Sequence, residues 1–102
     1  THLGVNCDGK EEALRLTALL GGLFGWPTRE GNSSAFAGTA FELMKAPGRG
    51  KNGHVAIGVN SLPRARAYLE RLGIAFDEST AGPKAIYFAE EIGGFAFHLL
   101  QK

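Results

Sequence analysis

The sequence predicts an α+β domain made of two consecutive βαβββ units. The first observation is an internal repeat: HLGVN at residues 2–6 returns within GHVAIGVN at residues 53–60, which places His2 and His54 52 residues apart in a chain of 102. The second is a helix signal that follows each copy. The third is a run of three short segments after each helix, separated by Gly, Asn, Ser or Pro.

Composition indicates a single globular domain, residues 1–102. Hydrophobic residues make up 44% of the chain and charged residues 21%. The net charge is only +1, and the lysines and arginines are scattered along the chain, which argues against nucleic acid as a partner. No apolar run approaches the roughly 18 residues of a membrane span. We therefore expect a cytoplasmic protein. The chain starts at Thr1 and enters a strand at once, so we also expect a domain taken from a longer chain.

The first unit, residues 1–45, opens with a strand in which Leu3, Val5 and Cys7 face a helix. That helix is predicted from Asp8, with Glu11 completing a capping box, to a stop at Gly25. The helix-facing Cys7 is expected to be inert packing, and as the only cysteine it excludes an internal disulfide. Three strands should follow, at residues 28–32, 35–38 and 40–45.

The connection between the units is residues 46–52, APGRGKN, and the second unit is residues 53–102. The connection lacks the spacing of a phosphate-binding loop and has no periodicity. After the strand at residues 54–59, Ser61 is a good helix N-cap, Pro63 fits the first turn, and Gly73 ends the helix. Strands are predicted at residues 74–77, 85–89 and 95–100.

Four side chains that can bind metal fall on equivalent faces of these strands. If one face of each sheet packs on its helix, strand alternation allows His2, Glu42, His54 and His98 to converge on the other face. Three imidazoles and one carboxylate suit divalent transition ions rather than Mg²⁺ or Ca²⁺. The sequence thus predicts a candidate metal site for Zn, Ni, Fe, Mn or Co.

The whole chain resembles the vicinal oxygen chelate (VOC) superfamily, which includes glyoxalase I, extradiol dioxygenases and bleomycin-resistance proteins. The resemblance is carried by His at the start of the first strand of each unit, by FEL at residues 41–43 and by GGFAFHL at residues 93–99. It implies a curved mixed sheet that encloses a cup. It also implies metal ligands at the start of strand one and in strand four of each unit, which here are His2, Glu42, His54 and His98.

More narrowly, four stretches resemble a domain on the C-terminal side of some bacterial 2-keto-3-deoxy-6-phosphogluconate (KDPG) aldolases. These stretches are HLGVNC, EGNSSAFAG, GKNGHVAIG and AIYFAEEIGGFAFHLLQK. This resemblance implies an accessory module that binds a metabolite or metal and drives dimerisation beside an aldolase domain of the parent chain. We expect a homodimer, because the short connection would hinder the two units of one chain from facing each other, and we expect the strand-one edges to pair between chains.

An enzymatic alternative stays open. A metal-dependent lyase, isomerase or epimerase of the glyoxalase type would move a proton next to the carbonyl of a small oxo or hydroxy acid, with Glu42 and His98 as the catalytic candidates. Glyoxalase I normally has glutamate where this chain has His98. The imidazole can serve as a base, or four strong ligands can close a structural tetrahedral site.

Other polar and aromatic residues that could contact a ligand have simpler structural interpretations. Asn6 and Asn60 precede helix caps and are predicted to serve turns rather than to contact substrate. Trp26, Phe36, Phe88, Phe95 and Phe97 are predicted to fill cores or a dimer interface. Arg49 and Lys51 lie in the connection, where they can either bind an anionic substrate near the cup or form a solvated loop.

Overall fold

The structure, a computed structural model, describes all residues from Thr1 to Lys102 and confirms the α+β class. It has seven strands, two α-helices and one short 3-10 helix at Glu78–Thr80. In chain order the elements are β1 His2–Asn6, α1 Lys10–Phe24, β2 Thr28–Glu30, β3 Ser34–Ala37, β4 Phe41–Met44, β5 Gly53–Val59, α2 Leu62–Arg71, β6 Ala85–Tyr87 and β7 Phe95–Gln101.

All seven strands belong to one mixed sheet with the order β2-β3-β4-β1-β5-β7-β6. Within each half the first strand lies parallel to the last, β1 to β4 and β5 to β7. The two first strands, β1 and β5, pair antiparallel at the centre of the sheet. The two repeats of the sequence therefore meet along their equivalent strands.

This central pairing corrects the expectation that the short connection would hinder pairing within one chain. The chain leaves β4 on one side of β1 and enters β5 on the other, so the connection crosses only two strand spacings, about 10 Å. Asn6 holds the connection in place: its Nδ2 donates to the Gly50 carbonyl at 2.8 Å, and its Oδ1 accepts from the Gly48 N–H at 3.0 Å. Both bonds reach residues more than 40 positions away, so the Asn6 side chain serves the connection and not, as predicted, the turn before α1.

The first helix, α1, packs on the half of the sheet formed by β2, β3 and β4, with Cys7, Ala13, Ala37 and Leu43 in the core. It ends at Gly25, whose φ of 67° is the left-handed conformation that glycine adopts easily. The predicted capping box is wrong. The N-cap is Gly9, one residue after the predicted Asp8, and no side chain caps the helix; Asp8 N–H donates to the carboxylate of Glu12 rather than of Glu11.

The second helix, α2, covers the other half of the sheet. Its predicted cap is confirmed, because Ser61 Oγ accepts from Arg64 N–H at 3.3 Å and a proline occupies the first turn. Leu62, Ile86 and Leu99 form the core beneath it. Both helices therefore lie on the same face of the sheet and leave the opposite face uncovered.

The strand predicted at residues 74–77 does not form; only one isolated bridge, between Phe76 and Phe88, is present. The Asp77 side chain accepts from Ser79 N–H at 3.0 Å and starts the 3-10 helix, which ends the extended conformation. The second half thus has one regular strand fewer than the predicted βαβββ unit.

Candidate metal centre

The four predicted ligands lie in two neighbouring rows on the sheet face that the helices leave uncovered. In one row Gly4 is the Cα partner of both Glu42 and His54. In the next row Ala56 is the Cα partner of both His2 and His98. Partnered residues share a face of a sheet, as do residues two apart along a strand, so the four side chains point the same way. We call His2, Glu42, His54 and His98 the His–Glu cluster.

The structure brings the His–Glu cluster together within a single chain. The Nε2 atoms of His2 and His54 are 3.0 Å apart, and each lies 3.2 Å from Oε1 of Glu42. Ligand nitrogens of the three histidines all lie within 4.8 Å of one another. Each half of the chain supplies two members, so the candidate site lies where the halves join.

Burial favours the neutral imidazole at two of the three cluster histidines, His98 and His2. The pKa of His98 falls from 6.5 to about 4, first because the ring is buried and then because the His54 and His2 rings lie beside it. Burial also lowers the pKa of His2, against the opposing attraction of the Glu42 carboxylate. Neutral imidazole is the form that binds metal ions. At neutral pH these two histidines are therefore in the ligating state.

The Nε2 atom of His98 is buried and has no hydrogen-bond partner in the protein. Buried polar atoms are normally paired, and an orphan calls for a specific explanation, an ion being one. One ring nitrogen of His98 lies within 4.8 Å of ring nitrogens of His2 and His54. The donor set therefore fits a metal ion, and metal ligation by the His–Glu cluster stays a prediction.

Three side chains that the sequence did not predict as neighbours of the cluster contact it. Ser34 Oγ donates to Glu42 Oε2 at 2.7 Å. The Tyr87 ring stacks on His98 with 4.5 Å between centroids, and the Phe36 ring meets His2 edge-on at 6.3 Å. Phe36 was assigned to a core or dimer interface, yet its pairing with Glu42 places it on the open face. Phe36 is the strand partner of Glu42, Tyr87 is the strand partner of His98, and Ser34 lies two residues from Phe36 on the same face. Knowledge of the strand register would therefore have placed these three side chains beside the cluster.

Gly4 provides the space that the His54 ring occupies. A Cβ atom at this position would lie 2.0 Å from Cε1 of His54, far inside van der Waals contact. Glycine within a strand often marks a close approach of this kind, so the sequence did carry a signal at this position. The small side chain is a requirement of the cluster.

Residues of the connection border the site without joining the cluster. The guanidinium of Arg49 lies 4.5 Å from the Tyr87 ring centroid and forms an ion pair with Asp77 at 3.0 Å. The backbone N–H of Lys51 donates to Glu91 Oε1 at 3.2 Å.

Cys7 faces the helix as predicted, is 1% exposed, and has a pKa raised by burial, as expected for a packing residue.

Comparison with known proteins adds no family assignment: no protein-family model, no curated protein and no solved structure matches the chain. Neither of the two helices is long and apolar enough to cross a membrane. The chemistry of the site therefore has to be inferred from the cluster and its surroundings.

Proposed function

We propose that the chain is a VOC domain that binds a divalent transition metal through His2, Glu42, His54 and His98 and, through that metal, a small oxygen-bearing acid. The observation that carries the proposal is the convergence of the cluster, with three histidine nitrogens within 4.8 Å and a carboxylate oxygen in contact with two of them. Zn, Ni, Fe, Mn and Co are the candidate ions.

The spacing of the donor atoms supports this assignment. Two ligand atoms that each lie about 2.0–2.1 Å from a tetrahedral ion are about 3.3 Å apart. The separations of 3.0 and 3.2 Å among His2, His54 and Glu42 are close to that value. Three of the four donors therefore already have the spacing of a tetrahedral site, and a ring nitrogen of His98 lies within 4.8 Å of the other two histidines.

The topology supports the VOC part of the proposal. Each half lays its first strand parallel to its last, and the open face of the joined mixed sheet carries two cluster residues from each half. The resemblance implies a mixed sheet and ligands in the first and last strand of each half, so this arrangement supports the proposal.

The surroundings of the cluster favour holding a ligand over catalysis. Both carboxylate oxygens of Glu42 are engaged, Oε1 by His2 and His54 and Oε2 by Ser34. The other catalytic candidate, His98, is 8% exposed, and Tyr87 stacks on its ring. Both catalytic candidates are thus engaged by neighbouring side chains, which favours an accessory, metabolite-binding module. The KDPG-type aldolase domain beside it is the part of this proposal that rests on the resemblance.

The enzymatic alternative requires Glu42 or His98 to leave the cluster and take a proton from a carbon next to a carbonyl. A divalent metal, when bound, supplies Lewis-acid polarisation of the substrate oxygens. Arg49 and Ser34, which border the cluster, would then only bind and orient the acid. Proton exchange into deuterated water at the α-carbon of added oxo acids, followed by NMR, separates the alternatives: catalysed exchange would establish the lyase or isomerase reading.

Elemental analysis of the tag-free protein tests the metal site. We expect one metal ion per chain in the wild type, retention in Glu30→Gln, and a loss of at least about tenfold in affinity in Glu42→Gln and His54→Ala. Glu30 is a suitable control because it is exposed and pairs with Lys45 rather than with the cluster. A wild-type protein that stays metal-free after incubation with Zn, Ni, Mn and Fe(II) would refute the proposal.

A further inference from the structure

Two arginines flank the His–Glu cluster, and each stacks on an aromatic ring that contacts a cluster histidine. Arg49 lies 4.5 Å from the Tyr87 ring centroid, and Tyr87 stacks on His98. On the opposite side, Arg29 lies 4.7 Å from the Phe36 ring centroid, and Phe36 meets His2. A guanidinium group therefore lies at each end of the cluster.

The two arginines differ in how their charge is balanced. The guanidinium of Arg49 is paired with Asp77 at 3.0 Å. Arg29 forms no ion pair, and its side chain is exposed. An exposed guanidinium without a carboxylate partner can bind a carboxylate or phosphate through two parallel N–H groups. Arg29 is thus the cation that is free to receive an anion.

Arg29 belongs to the same row of the sheet as the cluster. Its Cα partner is Phe36, whose partner on the next strand is Glu42. The Arg29 guanidinium lies 4.7 Å from the Phe36 centroid, and that centroid lies 6.3 Å from the His2 centroid, so the guanidinium is at most about 11 Å from the His2 ring. The Arg29 side chain is exposed and can rotate toward the cluster. A small acid bound at the cluster can then reach the guanidinium with its far end.

An open groove of about 650 Å³, the largest cavity in the structure, lies beside Arg29. Trp26 forms an apolar wall, and Thr28 and Thr39 add hydroxyl groups. The groove reaches Ala40, whose carbonyl accepts from Leu3 N–H at 2.7 Å, next to His2. Trp26 and Thr28 pack toward α1 on the helix-covered face, so the groove opens at the end of the sheet, where the exposed Arg29 side chain also borders it.

We propose that Arg29 and the adjoining groove bind a second anionic group of the ligand, so that the site selects small oxo acids with an anion at each end. This inference rests on the proposed metal site. With three neutral imidazoles and one carboxylate, a divalent ion leaves one net positive charge, which the first carboxylate of such an acid balances. The second anion then needs a further cation, and Arg29 supplies it.

The test compares two acids that differ only at the far end, 2-oxoglutarate and 2-oxopentanoate, by titration into Co(II)-loaded protein followed through the visible absorption of the ion. We expect 2-oxoglutarate to bind about tenfold more tightly, in keeping with one charge-assisted interaction. Arg29→Gln should abolish the preference, Arg29→Lys should retain part of it, and Arg49→Gln should leave it in place. Circular dichroism establishes that each variant is folded.

Every outcome is decisive. Equal binding of the two acids by the wild type, or a preference that survives Arg29→Gln, would overturn the role of Arg29 and leave the metal site standing. A preference that is lost in Arg49→Gln and kept in Arg29→Gln would transfer the role to the other arginine and overturn this inference. Failure of Co(II) to bind at all would overturn the metal site, and the inference with it.

Discussion

Single residues of small volume shape the His–Glu cluster as much as its ligands do. Gly4 lies between Glu42 and His54 in one row, and Ala56, 2% exposed, lies between His2 and His98 in the next. Large and small side chains therefore alternate across the open face. This alternation lets three rings share a space that larger neighbours would fill.

Gly4→Ala should displace His54 from the cluster. The added Cβ would lie 2.0 Å from the ring, so the imidazole must move, at a cost of about 1–3 kcal/mol in the free energy of unfolding. Metal affinity, measured by competition with a chromophoric chelator, should fall at least tenfold. The control is Gly22→Ala in α1, where a Cβ meets nothing within 4 Å and should stabilise the helix by about 0.5–1 kcal/mol. Unchanged metal affinity in Gly4→Ala would show that His54 is dispensable.

The metal-free protein should lose stability as the pH falls from 6.5 to 4. The pKa of His98 is about 4 in the folded chain against an ordinary 6.5, so the unfolded chain binds more protons in this window. The stabilisation is complete above pH 6.5 and is lost on acidification, by up to about 3 kcal/mol. His2, whose pKa is also lowered, acts in the same direction. Urea unfolding in the presence of a chelator measures the effect.

His98→Gln should flatten that pH profile, because the amide does not titrate. A wild-type curve that is flat between pH 4 and 6.5 would mean that the imidazole is solvated rather than buried.

At the scale of secondary-structure elements, the helix ends were predicted unequally well. Ser61 caps α2 through its own hydroxyl, a local interaction that depends on residues three apart. The start of α1 has Gly9 at the cap and no side-chain hydrogen bond to the helix. Asp8 was predicted as the N-cap of α1, but the cap lies one residue later, at Gly9. The position of this cap depends on the path that the chain takes as it leaves β1.

Ser61→Ala should therefore cost about 1 kcal/mol of stability, because the Arg64 N–H loses its acceptor at the start of α2. Gly9→Ser is the complementary change: the glycine backbone is extended and a Cβ meets nothing within 4 Å, so a serine hydroxyl should add a few tenths of a kcal/mol. Thermal unfolding measures both. A Ser61→Ala variant as stable as the wild type, or a Gly9→Ser variant less stable than it, would contradict the assigned caps.

At the scale of the whole molecule, the paired first strands make one site from two repeats. His2 and Glu42 come from the first half, and His54 and His98 come from the second. The β1 strand is hydrogen-bonded on both sides within the chain, by β4 and β5, so its edge is not available to a second copy. The predicted pairing of strand-one edges between chains is therefore wrong, because that pairing is made internally.

Metal should stabilise the entire chain, since its ligands come from both halves. At a free concentration of 100 times the dissociation constant, a bound ion adds about 2.7 kcal/mol to the free energy of unfolding. We expect a single cooperative thermal transition that shifts upward with Zn²⁺ and returns when a chelator is added. Two separate transitions, with only one of them sensitive to metal, would contradict a site shared between the halves.

The homodimer stays a prediction, and the occupied edges of β1 restrict how it can form. We expect light scattering at micromolar concentration to give twice the chain mass of 10.8 kDa. The mass should not change in His54→Ala, because the cluster assembles without a second chain. A monomeric mass would refute the prediction.

The sequence by itself determined the α+β class, the two repeats, the face shared by His2, Glu42, His54 and His98, and the cap at Ser61. These follow from periodicity and from residues close together in the chain. Only the tertiary structure decided that β1 and β5 pair within one chain, that Gly4 makes room for His54, and that Arg29 lies over Phe36 without an ion pair. Such features depend on strand order and register between distant segments, where many pairings satisfy the same alternation and packing selects one.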